Sequence, residues 1–288
     1  MAISSPQSLP AVYVWRGRAL KALELAALVV LGLGIIGPML GLVLWSVARR
    51  WYWPHALPQE VGLDYWRQAL GLERSLAIGA VSITGSLWTS LRIALVVVAV
   101  VMAISIPAGY ALARLRLPVK PLILLLFLMP HAFPQQPVFV NLLAIFTRAG
   151  LAGTVSGVML VHIVVALVYA VWITTSTFRA IPPELEEAAR SVGASPLRTF
   201  ARITLPLAAP GLAASAVFVF LTSLDEFTGT FFIGLPFVTT LPMLLYSSSG
   251  YNLQFASVLA LVLLVPSVLF MVLIERVLKA EHLGAIGG

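Results

Sequence analysis

From Ala22 to Ala48 the chain carries a single charged side chain, Glu24, and apolar runs of this kind recur along its length. A helix rises ~1.5 Å per residue and the hydrocarbon of a bilayer is ~30 Å thick, so about 20 apolar residues cross it once. Six segments are candidate spans: 22–48, 85–113, 119–145, 151–178, 206–228 and 254–279. The third is interrupted by "MPHAFPQQP", in which each of three prolines removes a backbone donor. A kinked span is expected there, then a short interfacial helix near Val138–Thr147. Non-helical backbone at that depth is tolerated only where protein covers it or where it lines a water-filled path. Composition agrees with a membrane protein. The chain is 60% hydrophobic and 10% charged, with a mean hydropathy of +1.01, whereas soluble domains carry about 25% charged residues. The first run exceeds the ~7–15 residues of a signal h-region and no small-residue cleavage site closes it, so it reads as a retained span. The chain has no cysteine, which excludes disulfides and thiolate metal sites.

Lysine and arginine set the orientation. With the N-terminus in the cytoplasm, Arg16, Arg18 and Lys21, the group Arg114, Arg116 and Lys120, the group Arg179, Arg190, Arg198 and Arg202, and finally Arg276 and Lys279 all face inward, 12 of 18. Arg49, Arg50, Arg67, Arg74 and Arg148 face outward, and Arg92 lies early in the second span. The bias places both termini inside. The pair Arg49–Arg50 works against it, and the adjacent Trp51–Tyr52–Trp53 reads as an interfacial anchor. The net charge of +7 is explained by basic residues flanking spans and meeting anionic lipid, without nucleic acid. Three parts follow: 1–84, a tail, first span and outer segment; 85–279, a five-helix core; and 280–288, a cytoplasmic tail. The expected class is an all-α integral membrane protein with six transmembrane helices.

One segment breaks the apolar pattern on the cytoplasmic side, "EEAARSVGASPLRTFARITLP" from Glu186 to Pro206. Pro182–Pro183 stop the fourth span, and Pro183 suits the first position of a new helix. Glu184, Glu186 and Glu187 fill its first turn, where the helix dipole favours negative charge. Leu185, Ala188, Ala189 and Val192 recur at helical spacing as one apolar stripe. Gly193 is placed to end the helix in a left-handed conformation. Ser195 then caps a second helix with Pro196 at its first position, running through "TLP" into the fifth span. The segment reads as a knob for a soluble partner or as an interfacial helix lying on headgroups. Its stripe is narrow, alanine-rich and free of tryptophan, so it would bind lipid weakly.

Glu187, Ala188, Ala189, Gly193, Ile203, Leu205 and Pro206 fit the pattern E-A-A, three residues, G, nine residues, I-x-L-P. This resembles the EAA loop, here 182–206, of permease subunits of binding-protein-dependent ABC importers. The similarity extends over roughly Ser86 to Lys279 and includes "SLWTSLRIALVVVAVVMAISIPAGYALARLRLP". The resemblance implies a type I importer permease fold with a cytoplasmic coupling helix, in a bacterial inner membrane. It implies a second permease subunit, two ATPase subunits that hold ATP and Mg, and an extracytoplasmic solute-binding protein. It also implies roles: Glu187 pairing with a basic group on the ATPase, Ala188 and Ala189 packing in its cleft, Gly193 making the bend, and Ile203, Leu205 and Pro206 tying the knob to the fifth span. Independently, none of Lys21, Lys120 and Lys279 lies in G-x-x-x-x-G-K-[ST], so the chain is not an ATPase and is expected to be non-catalytic, binding no cofactor itself.

Asp225 and Glu226 lie near the outer end of the fifth span. Acidic residues at membrane depth face the bundle interior or a water path. They can line a substrate pathway, cap the helix end, or hold the outer loop against the partner permease. "LDEF" and "TTLPMLLYSS" look like the spermidine/putrescine-type permeases, which implies a polyamine or related small cation as cargo, with 2-aminoethylphosphonate or another small polar organic solute as the alternative. His55, His131, His162 and His282 show no ligand spacing, so no metal site is expected; His131, beside the prolines, is expected to satisfy broken backbone. Gly37–Gly41 and Gly153–Gly157 are GxxxG pairs that permit close helix packing. An ion-gradient-driven secondary transporter would need an inverted repeat and an intramembrane charge pair. An intramembrane enzyme would need a convergent nucleophile and base. Neither pattern is present.

Overall fold

The computed structural model describes residues 11–72, 83–116 and 118–286. Among these the chain is helical apart from one pair of short strands. Helix α1, Ala11–Val47, carries the first apolar run. Strands β1, Ala48–Arg50, and β2, Glu60–Val61, pair antiparallel, and α2 spans Asp64–Ala69. Then come α3, Ile83–Arg114, α4, Lys120–Ala132, α5, Gln135–Arg148, and α6, Val155–Ala180. Two short helices follow, α7, Pro183–Ser191, and α8, Pro196–Thr199. A π turn, Phe200–Thr204, joins α8 to α9, Leu205–Leu224. Last are α10, Thr228–Gly234, α11, Leu241–Ser249, and α12, Leu253–Ile286.

Five stretches are long and apolar enough to cross a bilayer: Leu23–Val47, Ile83–Arg114, Val155–Ala180, Pro196–Leu224 and Leu253–Arg276. The expected third span is not a sixth of this kind. It divides into α4 and α5, and the apolar part of α4, Lys120–Met129, is too short to cross alone. The break sits at Phe133, whose backbone is extended (φ −103°, ψ 148°). It precedes Pro134, whose ring disfavours helical backbone in the residue before it. The last helix runs through Ile286, past residue 279 where the apolar run ends.

Helices α3, α6 and α9 pack on one another as the centre of the chain. Ile93, Val97 and Val101 of α3 meet Val158, Ala166 and Ala170 of α6 and Val219 of α9 in one buried cluster. Toward their C-terminal ends, α3 and α6 approach through Gly109. A Cβ there would overlap the Thr174 side chain and come within 2.9 Å of the Thr175 backbone nitrogen. Thr174 Oγ1 donates to Ser105 O at 2.9 Å across the same contact. Helix α12 lies against α9 and α1 against α12. Among the described residues nothing lies within 4 Å of a Cβ placed on Gly37 or Gly41, and a Cβ on Gly157 would meet the Leu151 carbonyl in the preceding turn, so neither GxxxG pair packs one described helix on another.

Arg49 and Arg50, the pair that opposes the charge bias, both have acidic partners in the segment that follows α1. Arg49 is bonded through its guanidinium to the Asp64 carboxylate, and Arg50 Nη1 lies 3.0 Å from Glu60 Oε1. The hydrogen bond from Arg49 holds Asp64 below the ordinary carboxylate range. Trp51 packs on Trp45 of α1 with ring centroids 4.4 Å apart. Arg74 lies outside the described residues.

Candidate coupling site

The segment between α6 and α9 is built as its residues dictate. Pro183 opens α7, Glu184 and Glu186 occupy its first turn, and Arg190 its last. The chain reverses at Gly193, whose φ of +89° disfavours any residue with a Cβ. Ala194 N closes the end by donating to Ala189 O at 3.1 Å. Ser195 caps α8 through its Oγ, which accepts from Arg198 N. From Pro196 to Leu224 the helix is then unbroken. The π turn is placed just before Pro206, which lacks an N–H and whose ring would crowd the carbonyl four residues back; a widened turn gives that carbonyl room.

Glu187 and Ala188 are exposed and Ala189 is half-buried. Leu185, Val192 and Leu197 are also exposed, Val192 to 85%, so of the apolar stripe expected on α7 only Ala189 is partly covered among the described residues. Leu205 packs with Phe178, Ile181, Ala208 and Leu212 on the membrane side, Ile203 is half-buried, and Pro206 lies exposed in the first turn of α9. The seven motif residues therefore do not converge on one point. Glu187, Ala188 and Gly193 lie on a free face, while Ile203 and Leu205 lie at the root of the fifth span.

The residue that binds this knob to the bundle is Glu186, which the motif does not include. It is 4% exposed. Tyr110 Oη donates to Glu186 Oε2 at 2.9 Å, and Arg114 Nε donates to Glu186 Oε1 at 2.9 Å. Arg114 Nη2 lies 2.8 Å from the same oxygen and also donates to Ile181 O at 3.1 Å, while Arg190 Nη2 stands 3.8 Å from Oε2. Burial alone would raise the Glu186 pKa, but the hydrogen bonds from Arg114 and Tyr110 outweigh it and hold the carboxyl below its ordinary value. Behind it the Tyr110 ring meets Phe178 and Phe200 edge-on. A signal for this was present: Tyr110 and Arg114 are spaced i,i+4 at the end of α3, and Glu186 and Arg190 i,i+4 on α7, so each helix offers a matched pair.

Asp225 and Glu226 part company. Asp225 ends α9 and is exposed. Glu226 is 8% exposed, and its Oε1 accepts from Gly229 N at 2.7 Å in the first turn of α10. Of the histidines, His162 is buried, with Nδ1 2.9 Å from Ser223 Oγ and Nε2 2.8 Å from Thr230 Oγ1, joining α6 to α9 and α10. His131 Nδ1 is buried without a hydrogen-bond partner among the described residues, so that atom does not satisfy the broken backbone. Among the described residues no three His, Asp or Glu side chains are grouped to hold a metal ion.

Residues 101–280 match the family described as binding-protein-dependent transport system inner membrane component. The chain belongs to that family. Among similar proteins, an ABC transporter permease of Streptomyces antibioticus, ORF1, is 33% identical over 76% of this chain and 94% of its own length. The trehalose transport permease SugB of Mycobacterium tuberculosis is 34% identical over 50% of this chain and 52% of its own. The maltose/maltodextrin permease MalG of Escherichia coli is 30% identical over 59% and 61%. The chain thus spans nearly all of the first relative and just over half of the other two. In fold, the permease resembles a bacterial alginate ABC transporter solved in complex with an alginate-bound periplasmic protein, with a TM-score of 0.68, 14% identity, and coverage of 92% of this chain and 97% of that one. It also resembles the MetNI methionine transporter, with a TM-score of 0.57, 19% identity, and coverage of 68% and 94%. It is a multi-pass inner-membrane permease subunit of an ABC importer. The expected polyamine cargo has no support among these relatives, two of which are named for trehalose and maltose.

Proposed function

We propose that this permease forms half of a translocation pathway for a carbohydrate, paired with a second permease and driven by two ATPase subunits that hold ATP and Mg. A solute-binding protein delivers the cargo from outside. The observation that carries the coupling role is the exposed face of α7 around Glu187 and Ala188, on a helix pinned to α3 through Glu186 and joined through the Gly193 bend to the continuous helix Pro196–Leu224. Glu187 pairs with a basic group on the ATPase, Ala188 and Ala189 enter its cleft, and Gly193, Ile203, Leu205 and Pro206 fix the knob to the span. Nucleotide-driven closure shifts the permease because the knob binds one state better than the other. The names of the trehalose and maltose relatives favour a sugar. The acidic pair favours a polyamine, but Glu226 Oε1 already accepts from Gly229 N, which leaves Asp225 as the carboxylate without a hydrogen bond among the described residues.

Uptake of labelled trehalose, maltose, spermidine and 2-aminoethylphosphonate by cells with and without this chain tests the cargo. Loss of disaccharide uptake alone is expected when the chain is absent. Selective loss of spermidine or of the phosphonate uptake overturns the carbohydrate reading.

Both termini are placed in the cytoplasm, with residues 49–72 outside. The chain lacks cysteine, so single substitutions report this directly. Leu57→Cys is expected to react with an impermeant maleimide in intact cells. Ala2→Cys and Gly288→Cys are expected to react only after permeabilisation, and labelling of either from outside refutes the orientation.

A further inference from the structure

Two helix breaks face each other across one cavity. The first is the α4–α5 break at Phe133–Pro134, flanked by His131 and Gln135; the second is the α9–α10 break, where Asp225 ends α9. The cavity between them is about 320 Å³, at the small end of the ~300–1,000 Å³ typical of small-molecule sites. His131, Gln135, Tyr169, Phe218, Thr222 and Asp225 line it. Interrupted helices at membrane depth persist where they line a polar cavity, and solute sites of transporters form between such breaks.

The lining is amphipathic in a definite way. Tyr169 stands edge-on to His131, with ring centroids 4.6 Å apart, and packs beside Phe218 at 5.0 Å, so the three rings make one continuous aromatic wall. Phe218, Thr222 and Asp225 lie at i, i+4 and i+7 on one face of α9 and carry that wall into a polar end. The Asp225 carboxylate has no hydrogen bond or ion pair among the described residues, in contrast to Glu226, and His131 Nδ1 is likewise without a partner. Gln135 adds an amide that both donates and accepts.

We propose that this cavity is an intramembrane binding site for one polyhydroxylated unit, such as a hexose ring, on its way through the permease. The aromatic wall takes the C–H face of the ring, while Asp225, Gln135 and Thr222 exchange hydrogen bonds with its hydroxyls. The ligand class rests on the carbohydrate reading above; the place of the site rests on the two breaks and the lining. An anionic sugar is disfavoured, because the carboxyl groups of both Asp225 and Glu226 line the polar end.

The test uses the complete importer in proteoliposomes with its ATPase and binding protein, with labelled trehalose, maltose and spermidine as probes and ATP hydrolysis read in parallel. Asp225→Ala and Gln135→Ala are expected to lower disaccharide uptake about tenfold or more, the effect of losing a hydrogen bond to a charged or amide group, while hydrolysis stimulated by the binding protein stays within about twofold. Asp225→Asn is expected to recover part of the uptake, because an amide still binds hydroxyls. Disaccharide uptake unchanged in both alanine variants overturns the site, and so does a parallel fall in hydrolysis, which marks a structural role. Equal loss in Asp225→Asn and Asp225→Ala overturns hydroxyl recognition. A wild-type importer that moves spermidine and neither disaccharide overturns the carbohydrate reading and the ligand class together.

Discussion

Glu187→Arg is expected to abolish uptake while leaving the permease inserted and folded. The side chain is exposed and has no hydrogen bond or ion pair among the described residues, and exposed substitutions of this kind change stability by within about 0.5 kcal/mol. On the docking proposed above, the same position would meet a basic group of the ATPase. Reversing a charge in a desolvated contact costs ~2–5 kcal/mol, a weakening of about thirtyfold or more in ATPase affinity. Gly193→Pro attacks the bend instead. Its φ of +89° cannot be adopted by a ring locked near −65°, so the end of α7 must refold and the exposed face must turn. Membrane content by immunoblot, co-purification of the ATPase and solute uptake separate the two effects. Loss of uptake and co-purification with normal membrane content is the expected pattern for both variants. Normal uptake in both refutes docking through α7.

The spans and this segment were legible from sequence for different reasons. Span length is a matter of counting, and α3, α6, the helix ending at Leu224 and α12 stand where apolar runs of the required length stand. The caps at Pro183, Gly193 and Ser195 are local, decided within four residues by backbone geometry, and each appears as expected. The third span was less legible, because the prolines of "MPHAFPQQP" announce an interruption without deciding whether the helix kinks or ends there. Its two halves give a broken element where a single crossing was counted. Glu186 escaped for the opposite reason. Its partners Tyr110 and Arg114 are 76 and 72 residues away, and only the packing of α3 against α6 brings them to it. The polyamine cargo expected from the "LDEF" and "TTLPMLLYSS" resemblance and the acidic pair finds no support among the relatives, and sequence adjacency did not reveal that Glu226 accepts a backbone N–H at the start of α10 while Asp225 does not.

A movement received at α7 has two routes into the membrane, and they differ in stiffness. One runs through Gly193, α8 and the π turn into α9, a path with one free bend and one widened turn. The other is direct, from the Glu186 carboxylate to the inner end of α3, with no intervening backbone. Since α3, α6 and α9 form the packed centre of the chain, a push at Arg114 reaches the same bundle that Leu205 enters from the other side.

Breaking that direct route is expected to have the larger energetic effect. Arg114→Ala leaves the Glu186 carboxylate buried with only Tyr110 and the distant Arg190 to meet it, and removing one partner of a buried pair costs ~3–5 kcal/mol. Lower thermal stability of the purified complex and loss of most uptake are expected. Glu186→Gln, which keeps the shape and an acceptor, is expected to be milder in stability yet still to lower uptake per ATP hydrolysed, because the charged link carries the movement. The exchange Arg114→Glu with Glu186→Arg separates stability from coupling, restoring part of both if the pair acts as a pair. Coupling between the two sites is then read as the departure from additivity, with ~0.5–3 kcal/mol expected for residues in contact. Strict additivity of the two single changes, in stability and in uptake per ATP, refutes the strut. The pH dependence gives an independent check. Because the folded pKa of Glu186 lies below the ordinary 4.5, its contribution is fully present above that value and is lost as the pH falls through the folded pKa. The stability difference between wild type and Glu186→Gln is therefore expected to be constant near neutrality and to shrink as the pH is lowered past 4.5.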